Sequence, residues 1–194
     1  MATAPIRLAV IIGSVREGRF GPTVANWFAR QAGDREDFAI DIVDLAEHPL
    51  PTVITTTPTA EGAQALGAVM PRIEAAEAFV VVTPEYNHSF PAALKNAIDW
   101  HNSQWHAKPV AFVSYGGLSG GLRAVEALRL VFAELHAVTI RDTVSFHGAW
   151  AQFGPDGEPV DPEGSTTAVK SLLDQLAWWA ITLREGRERR PYVP

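Results

Sequence analysis

The segment at residues 84–91, PEYNHSFP, combines a carboxylate, a phenol, an amide and a hydroxyl between prolines that stiffen it. It follows the apolar, β-rich run AFVVV at residues 78–82, and a helix-like run follows it. In open α/β sheets, ligands bind at loops that follow the carboxyl ends of the strands. The polar groups of this loop suit hydrogen bonding to the edge of a heterocycle, and Pro84 with Tyr86 offers a flat apolar surface. Ser89 and Pro91 are also typical of a helix start.

A second loop with binding chemistry follows the apolar run at residues 6–12. A phosphate monoester carries about −1.5 to −2 charges near neutral pH. Hydroxyl groups, guanidinium groups and the free N–H groups of a helix N-terminus hold it well. Residues of these kinds occupy the turn into the first predicted helix: Ser14, Arg16, Arg19 and Gly21. The alternative is an ordinary solvent-facing loop with incidental arginines.

A third loop, SYGGLSGG at residues 114–121, contains four glycines between positions 116 and 121. Glycine allows a ligand to approach the backbone closely. The alternative is a flexible turn with a helix cap at Ser119. Because the first, third and fourth strands are neighbours at the switch point of a doubly wound sheet, the three loops are expected to converge. Together they predict a phosphorylated, flat, aromatic ligand.

Apolar, β-rich runs alternate with amphipathic stretches along the chain. The predicted strands cover residues 6–12, 38–45, 79–83, 109–114 and 137–146, and the predicted helices cover 23–31, 61–76, 91–101, 120–135 and 167–185. Strict alternation requires right-handed crossovers and a parallel sheet with helices on both faces. We therefore expect residues 1–194 to form a single α/β domain. Pro71 is expected to kink or split its helix.

The first turn separates two possible strand orders. A dinucleotide-binding turn would read Gly-x-Gly-x-x-Gly and use bare backbone. Here Gly13, Gly18 and Gly21 have arginines between them, which suits a terminal phosphate instead. The flavodoxin-like order of a five-stranded parallel sheet, 2-1-3-4-5, is therefore the better fit.

The composition excludes several classes of protein. Of the 194 residues, 47% are hydrophobic and 20% are charged, so the chain can bury a sizeable core. It contains no cysteine, which excludes disulfides, a thiolate nucleophile and Cys-based metal sites. The net charge of −6 argues against nucleic acid or anionic membrane as partners. No apolar run approaches the roughly 20 residues of a membrane span, and no signal peptide is recognisable, so a cytoplasmic location is expected. The basic cluster at residues 184–190 is interpreted as a solvated tail.

The remaining candidate residues favour structural roles. His101 and His106 have no carboxylate at ligand spacing, so they form a poor metal site and are expected at a surface or interface. The sequence lacks the Gly-x-Ser-x-Gly elbow of a serine hydrolase. Trp100 and Trp105 are either core residues or anchors of a dimer interface.

The three loops together resemble the NADPH-dependent FMN reductase family. The resemblance rests on GSVREGRF, on PEYNHSFP followed by LKNAIDW, and on SYGG followed by GG, and it covers roughly residues 6–146. It implies a flavodoxin-like three-layer sandwich that binds FMN and NADPH. The family includes quinone, azo-dye and chromate reductases, so it also implies a small-molecule electron acceptor and a homodimer or homotetramer.

The resemblance also implies roles for individual residues. The FMN phosphate and the nearby ribityl chain would be held by Ser14, Arg16, Arg19, Phe20 and Gly21. The isoalloxazine would be lined by Pro84, Glu85, Tyr86 and Asn87, and its other edge would be closed by Ser114, Tyr115, Gly116, Gly117 and Gly120. No side chain is expected to act as a catalytic acid or base, because the flavin carries the redox chemistry. Two positions depart from the family pattern, since many relatives have a small hydroxyl residue at Arg19 and a tyrosine at His88.

Two other functions use the same fold. A flavodoxin-type electron carrier binds FMN without turning over NADPH, but such carriers usually have hydroxyl-rich phosphate loops without arginine. A non-catalytic flavin-binding or regulatory protein would keep the fold alone. Arg16, Arg19 and the modest net charge favour the enzyme, an NAD(P)H-dependent FMN or quinone reductase.

Overall fold

Strands and helices alternate throughout residues 4–193, the part of the chain that the computed structural model describes. The strands are β1 (Ile6–Ile12), β2 (Phe38–Asp44), β3 (Ala78–Pro84), β4 (Pro109–Gly116) and β5 (Val138–His147). The helices are α1 (Gly21–Gly33), α2 (Ala60–Ala75), α3 (Ala92–Asp99), α4 (Leu122–Glu134) and α5 (Pro162–Arg189). Short 3-10 helices cover Ser103–Trp105 and Ala149–Ala151.

All strand pairs are parallel, and the strand order is β2-β1-β3-β4-β5, as predicted. In the register of the sheet, Ile12 pairs with Val82 and Pro84 pairs with Tyr115. The N–H of Gly13 donates to the carbonyl oxygen of Val82 at 2.9 Å, which extends the pairing beyond β1. The loops after β1, β3 and β4 therefore meet at one edge of the sheet.

The central strands are buried on both faces, which explains their nearly continuous apolar sequences. Helices α1 and α5 cover one face, where Trp27 and Leu172 are fully buried. Helices α2, α3 and α4 cover the other face around Phe79 and Phe132. Burying a side chain of this size stabilises the fold by about 1.5–3 kcal/mol, so these layers hold the strand ends rigidly in place. Trp105 is 1% exposed and packs on Phe79, which makes it a core residue.

Helix α2 continues through Pro71 and is not split there, contrary to one of the predicted possibilities. A proline inside a helix costs about 3 kcal/mol, because it removes one hydrogen bond and crowds the preceding turn. The apolar stripe of Leu66, Val69 and Ile73 is buried against the sheet and offsets that cost.

Helix α5 is longer at both ends than the sequence predicted. It begins at Pro162 because Asp161 caps it, its carboxylate accepting from the N–H of Gly164 at 3.0 Å. At the other end, Arg184 forms an ion pair with Glu77 at 3.5 Å, and the guanidinium of Arg187 donates to a backbone carbonyl. The interpretation of this basic cluster as a solvated tail is therefore wrong for Arg184 and Arg187, because the helix carries them to acceptors at the amino edge of the sheet, whereas the other residues of the cluster are exposed.

His101 is buried, with 2% of its surface exposed, so its expected surface position was wrong. Its Nδ1 lies 2.7 Å from the carbonyl oxygen of Ala97, and its Nε2 has no hydrogen-bond partner among residues 4–193. Burial lowers the pKa of His101 below its ordinary value of 6.5, although the hydrogen bond to Ala97 opposes this. The unfolded chain therefore binds the proton more readily than the folded protein.

We expect this histidine to destabilise the fold in mild acid. Its contribution to stability is fully present above the unfolded-state pKa and is lost as the pH falls from about 6.5 through the folded-state pKa. Urea unfolding at about pH 8 and about pH 5.5 should show a smaller loss of unfolding free energy for His101→Asn than for the wild type. The asparagine amide can still donate to Ala97. Equal losses in both proteins would show that His101 does not carry the effect.

Candidate functional site

A cleft of about 260 Å³ opens at the carboxyl edge of the sheet, where the three predicted loops meet. Most of the predicted site residues line it: Ser14, Arg16, Phe20, Pro84, Glu85, Tyr86, Tyr115, Gly116 and Gly117. Two lining residues were not predicted, Gly18 and Trp150. The remaining predicted residues lie outside the lining, and their contacts with a bound ligand stay predictions: Arg19, Gly21, Asn87, Ser114 and Gly120.

The end of the cleft beside α1 is suited to an anion. Ser14 is buried, and its hydroxyl lies 2.5 Å from the hydroxyl of Tyr86. Arg16 is exposed, and among residues 4–193 its side chain forms no ion pair or hydrogen bond. Helix α1 begins after Phe20 with no side-chain cap and no acidic residue in its first turn. Its free N–H groups and the positive end of its dipole therefore face the loop without a side-chain cap or first-turn carboxylate from the described residues.

The side chain of Arg19 is bound to Asp44, at the end of β2. Its guanidinium donates to both carboxylate oxygens of Asp44 at 2.5 and 2.7 Å, and to the carbonyl oxygen of Ser14 at 3.0 Å. The hydrogen bonds to Asp44 raise the pKa of Arg19 despite the opposing effect of burial. This geometry ties the loop to the end of β2, so Arg19 positions the loop, and its expected contact with the phosphate stays a prediction.

Gly21 begins α1 where only glycine fits. A Cβ there would lie 2.9 Å from the Tyr115 hydroxyl and 2.9 Å from Cγ2 of Ile12. Tyr115 is 4% exposed, and its hydroxyl has no hydrogen-bond partner among residues 4–193. The missing side chain therefore brings the start of α1 against a buried phenol that lines the cleft.

The loop after β3 folds back on itself. The backbone groups of Tyr86 and Ser89 exchange hydrogen bonds of 2.8 and 3.1 Å. The two residues between them, Asn87 and His88, have φ angles of 49° and 73°. Asparagine tolerates this left-handed region better than most residues do, which explains its place in the turn. Asn87 thus shapes the loop that presents Tyr86 to the cleft.

The carboxylate of Glu85 joins this loop to the loop after β4. It accepts hydrogen bonds from the Ser119 hydroxyl at 2.6 Å and from the N–H of Arg123 at 3.2 Å. It also forms an ion pair of 3.1 Å with the Arg123 guanidinium, and 8% of its side chain is exposed. Glu85 therefore caps α4 from another loop. Its carboxylate is already engaged by these partners, although the residue lines the cleft.

Two serine hydroxyls hold the glycine-rich loop after β4 in place. The hydroxyls of Ser114 and Ser145 both donate to the carbonyl oxygen of Gly120 at 2.8 Å. Gly120 has a φ of 60°, and a Cβ there would lie 2.5 Å from the Ser145 hydroxyl. Ser114 and Gly120 therefore hold the loop in shape, while Gly116 and Gly117 line the cleft.

Trp150 is the cleft residue that the sequence reasoning missed. It belongs to the 3-10 helix after β5, and 68% of its surface is exposed. The turn is fixed because the N–H of Gly148 donates to the carbonyl oxygen of Gly117 at 2.9 Å and because Ala149 is fully buried. The sequence did contain a signal for this residue. It places a tryptophan in the loop after the last strand, at the same sheet edge as the other loops.

The described residues form neither a metal centre nor a membrane span. Among residues 4–193, no group of histidine, aspartate and glutamate side chains is arranged to hold a metal ion. His106 packs against His136, with 5.0 Å between the ring centroids. No helix in that part of the chain is long and apolar enough to cross a bilayer.

Comparison with known proteins gives the same family that the sequence motifs resemble. The model of the NADPH-dependent FMN reductase family matches residues 6–151. An NAD(P)H-dependent FMN reductase of Schizosaccharomyces pombe is 39% identical over 123 residues, which cover 59% of this chain and 60% of that protein. A probable NADPH:quinone oxidoreductase of Oryza sativa subsp. japonica is 33% identical over 191 residues, which cover 92% of this chain and 93% of that protein.

A solved structure shows the same fold. The flavoenzyme NAD(P)H:(acceptor) oxidoreductase FerB of Paracoccus denitrificans superposes with a TM-score of 0.71 at 24% identity, over 91% of this chain and 98% of that one. The family match spans most of the described chain, and the rice relative aligns over more than nine-tenths of both sequences. The chain therefore belongs to the NADPH-dependent FMN reductase family, whose enzymes use NADPH and FMN.

Proposed function

We propose that this enzyme transfers hydride from NADPH to bound FMN and then passes electrons to a flavin, a quinone or a similar small acceptor. The observation that carries the proposal is the group of hydrogen-bond donors and positive charge at the end of the cleft beside α1. There, the Arg16 guanidinium, the uncapped start of α1 and the buried Tyr115 phenol lie close together, and within residues 4–193 neither side chain has a hydrogen-bond partner. Such a set of donors suits a dianionic phosphate monoester.

The residues present fit a mononucleotide along the rest of the cleft. Ser14 and Arg16 line its anion-binding end, and Gly21 keeps the start of α1 clear of a side chain. Pro84 and Tyr86, which also line the cleft, offer a flat surface, and the backbone of Gly116 and Gly117 lines it as well. A ligand that combines a phosphate with a planar ring matches this lining.

When bound, FMN supplies the redox centre that accepts electrons from NADPH and gives them to the acceptor. The chain itself positions the ring, and Glu85 does so indirectly by locking the two flanking loops together. Backbone N–H groups of the Gly116–Gly117 turn are our candidates for stabilising negative charge on the reduced ring. The described geometry requires no side chain to act as an acid or base.

Quinones are the acceptor class that we favour. The rice relative is named as a probable NADPH:quinone oxidoreductase, and a Burkholderia relative, 30% identical over 90% of this chain, is named 2-hydroxy-1,4-benzoquinone reductase. The exposed indole of Trp150 at the cleft supports a planar acceptor, because aromatic rings stack favourably.

We further propose that the enzyme is a cytoplasmic homodimer or homotetramer. The family resemblance supports the assembly, and the absence of cysteine is compatible with a reducing compartment. Leu118, beside the cleft loop, is 93% exposed, so a second copy would cover apolar surface there. Light scattering on the purified FMN-loaded protein measures the assembly directly.

Anaerobic mixing with NADPH tests the enzymatic function. The flavin absorbance of the FMN-loaded protein should bleach within the stopped-flow experiment and return when a benzoquinone is added. A matched sample with NADPH omitted controls for photoreduction. A flavin that stays oxidised would reject the reductase in favour of an electron carrier, and purified protein that binds no added FMN would reject both.

A further inference from the structure

Tyr115 combines burial with an unmet hydrogen-bonding group. The residue is 4% exposed, yet its hydroxyl has no hydrogen-bond partner among residues 4–193. Buried polar groups in folded proteins are nearly always paired, because an unpaired one loses its water without replacement. Tyr115 also lines the cleft, so a ligand there has access to the phenol.

The side chain of Tyr115 extends from β4 to the start of α1. The backbone of Tyr115 pairs with Pro84 at the end of β4, two strands away from β1. Its hydroxyl nevertheless lies against Gly21, the first residue of α1, where a Cβ would be 2.9 Å away. The ring of Phe20 meets the Tyr115 ring edge to face, with 6.1 Å between the centroids. The hydroxyl is therefore at the anion-binding end of the cleft, beside the start of α1, although the backbone of Tyr115 belongs to β4.

Burial keeps the Tyr115 phenol protonated. Burial raises the pKa of Tyr115 above its ordinary value of 10.0, and the Ser14 hydroxyl and the guanidinium groups of Arg19 and Arg16 offset only part of that effect. The Ser14 hydroxyl already lies 2.5 Å from that of Tyr86. At neutral pH the Tyr115 hydroxyl is thus a donor that faces a site rich in other donors, which requires an acceptor with several oxygens.

We propose that Tyr115 donates a hydrogen bond to the phosphate of the bound mononucleotide and so selects the phosphorylated flavin over riboflavin. This inference rests on the proposed function and changes the role that the resemblance gives to Tyr115, which was to close the edge of the ring. Arg19, which the resemblance implies as a phosphate contact, is paired with Asp44. The Tyr115 phenol therefore adds a donor that this pairing does not occupy.

Tyr115→Phe tests the proposal by titration calorimetry with FMN and with riboflavin on the apoprotein. We expect the dissociation constant for FMN to rise about tenfold, because a neutral donor to a charged acceptor is lost, and that for riboflavin to stay the same. Tyr192→Phe is the matched control, since this phenol pairs with His136 at 2.8 Å and does not line the cleft. It should change neither constant.

Urea unfolding of the apoprotein supplies a second readout. Because the hydroxyl has no hydrogen-bond partner in the described part of the chain, Tyr115→Phe should leave the unfolding midpoint unchanged or raise it. A lower midpoint would show that the hydroxyl has a structural partner, and an equal loss of FMN and riboflavin affinity would place it at the ring; either result overturns the proposal. A wild-type protein that binds riboflavin as tightly as FMN would instead overturn the phosphate site itself, and the proposed function with it.

Discussion

Replacing Arg16 with alanine is expected to weaken FMN binding by about 10- to 100-fold, because it removes a charge-assisted hydrogen bond of about 1.5–3 kcal/mol. Among residues 4–193, the Arg16 side chain has no ion pair or hydrogen bond to lose. The substitution should therefore leave the unfolding midpoint of the apoprotein unchanged. Riboflavin, which lacks the phosphate, should bind the variant as it binds the wild type.

Fluorescence titration of FMN at two salt concentrations measures this effect. The salt dependence of binding should decrease in Arg16→Ala, because a cation facing the phosphate has been removed. Arg141→Ala is the matched control, since it removes the same charge from an arginine on β5 whose side chain is 91% exposed. Unchanged FMN affinity in Arg16→Ala would contradict the assignment of the phosphate site.

Asp44→Ala is expected to lower the free energy of unfolding by about 2–3 kcal/mol, because it leaves the partly buried guanidinium of Arg19 without its partner. The pair is bidentate, and the side chains are 19% and 10% exposed. Arg19 also holds the carbonyl of Ser14, so the loop that carries Ser14 and Arg16 should lose its fixed conformation. FMN binding should therefore weaken as well, although Asp44 does not line the cleft.

A double-mutant cycle with Arg19→Met and Asp44→Asn separates a positioning role from a binding role. If the pair acts as a unit, the losses of stability and of FMN affinity in the double variant should be smaller than the sums of the single losses. A direct phosphate contact by Arg19 would give a different result. An Arg19→Met variant that keeps its stability but loses FMN affinity as strongly as Arg16→Ala would make Arg19 a phosphate ligand, as the resemblance implied.

The sequence predicted the fold because its information is local. Each central strand is a short apolar run, and the turn chemistry after residues 12 and 83 marks where the strands end. Strict alternation then determines a parallel sheet, and the switch point follows from the strand order. The three loops could be assigned to one edge without knowledge of any side-chain contact.

The partners of individual side chains could not be predicted in the same way. Arg19 and Asp44 are 25 positions apart, and Glu85 is 34 positions from Ser119, so only the folded sheet brings these groups together. The sequence could predict charged loop residues as ligand contacts but not that Arg19 and Glu85 also hold the loops in place. Their contacts with a ligand stay predictions. The position of the Tyr115 hydroxyl beside α1 could not be predicted either, because it depends on the absence of a Cβ at Gly21.

Crystals grown with FMN provide the most direct measurement of the central claim. The phosphate should lie at the start of α1, within hydrogen-bond distance of Ser14 and Arg16, and the ring should lie between the loops that carry Tyr86 and Gly116. A cleft that remains empty in excess FMN, or FMN bound with its phosphate away from α1, would contradict the account.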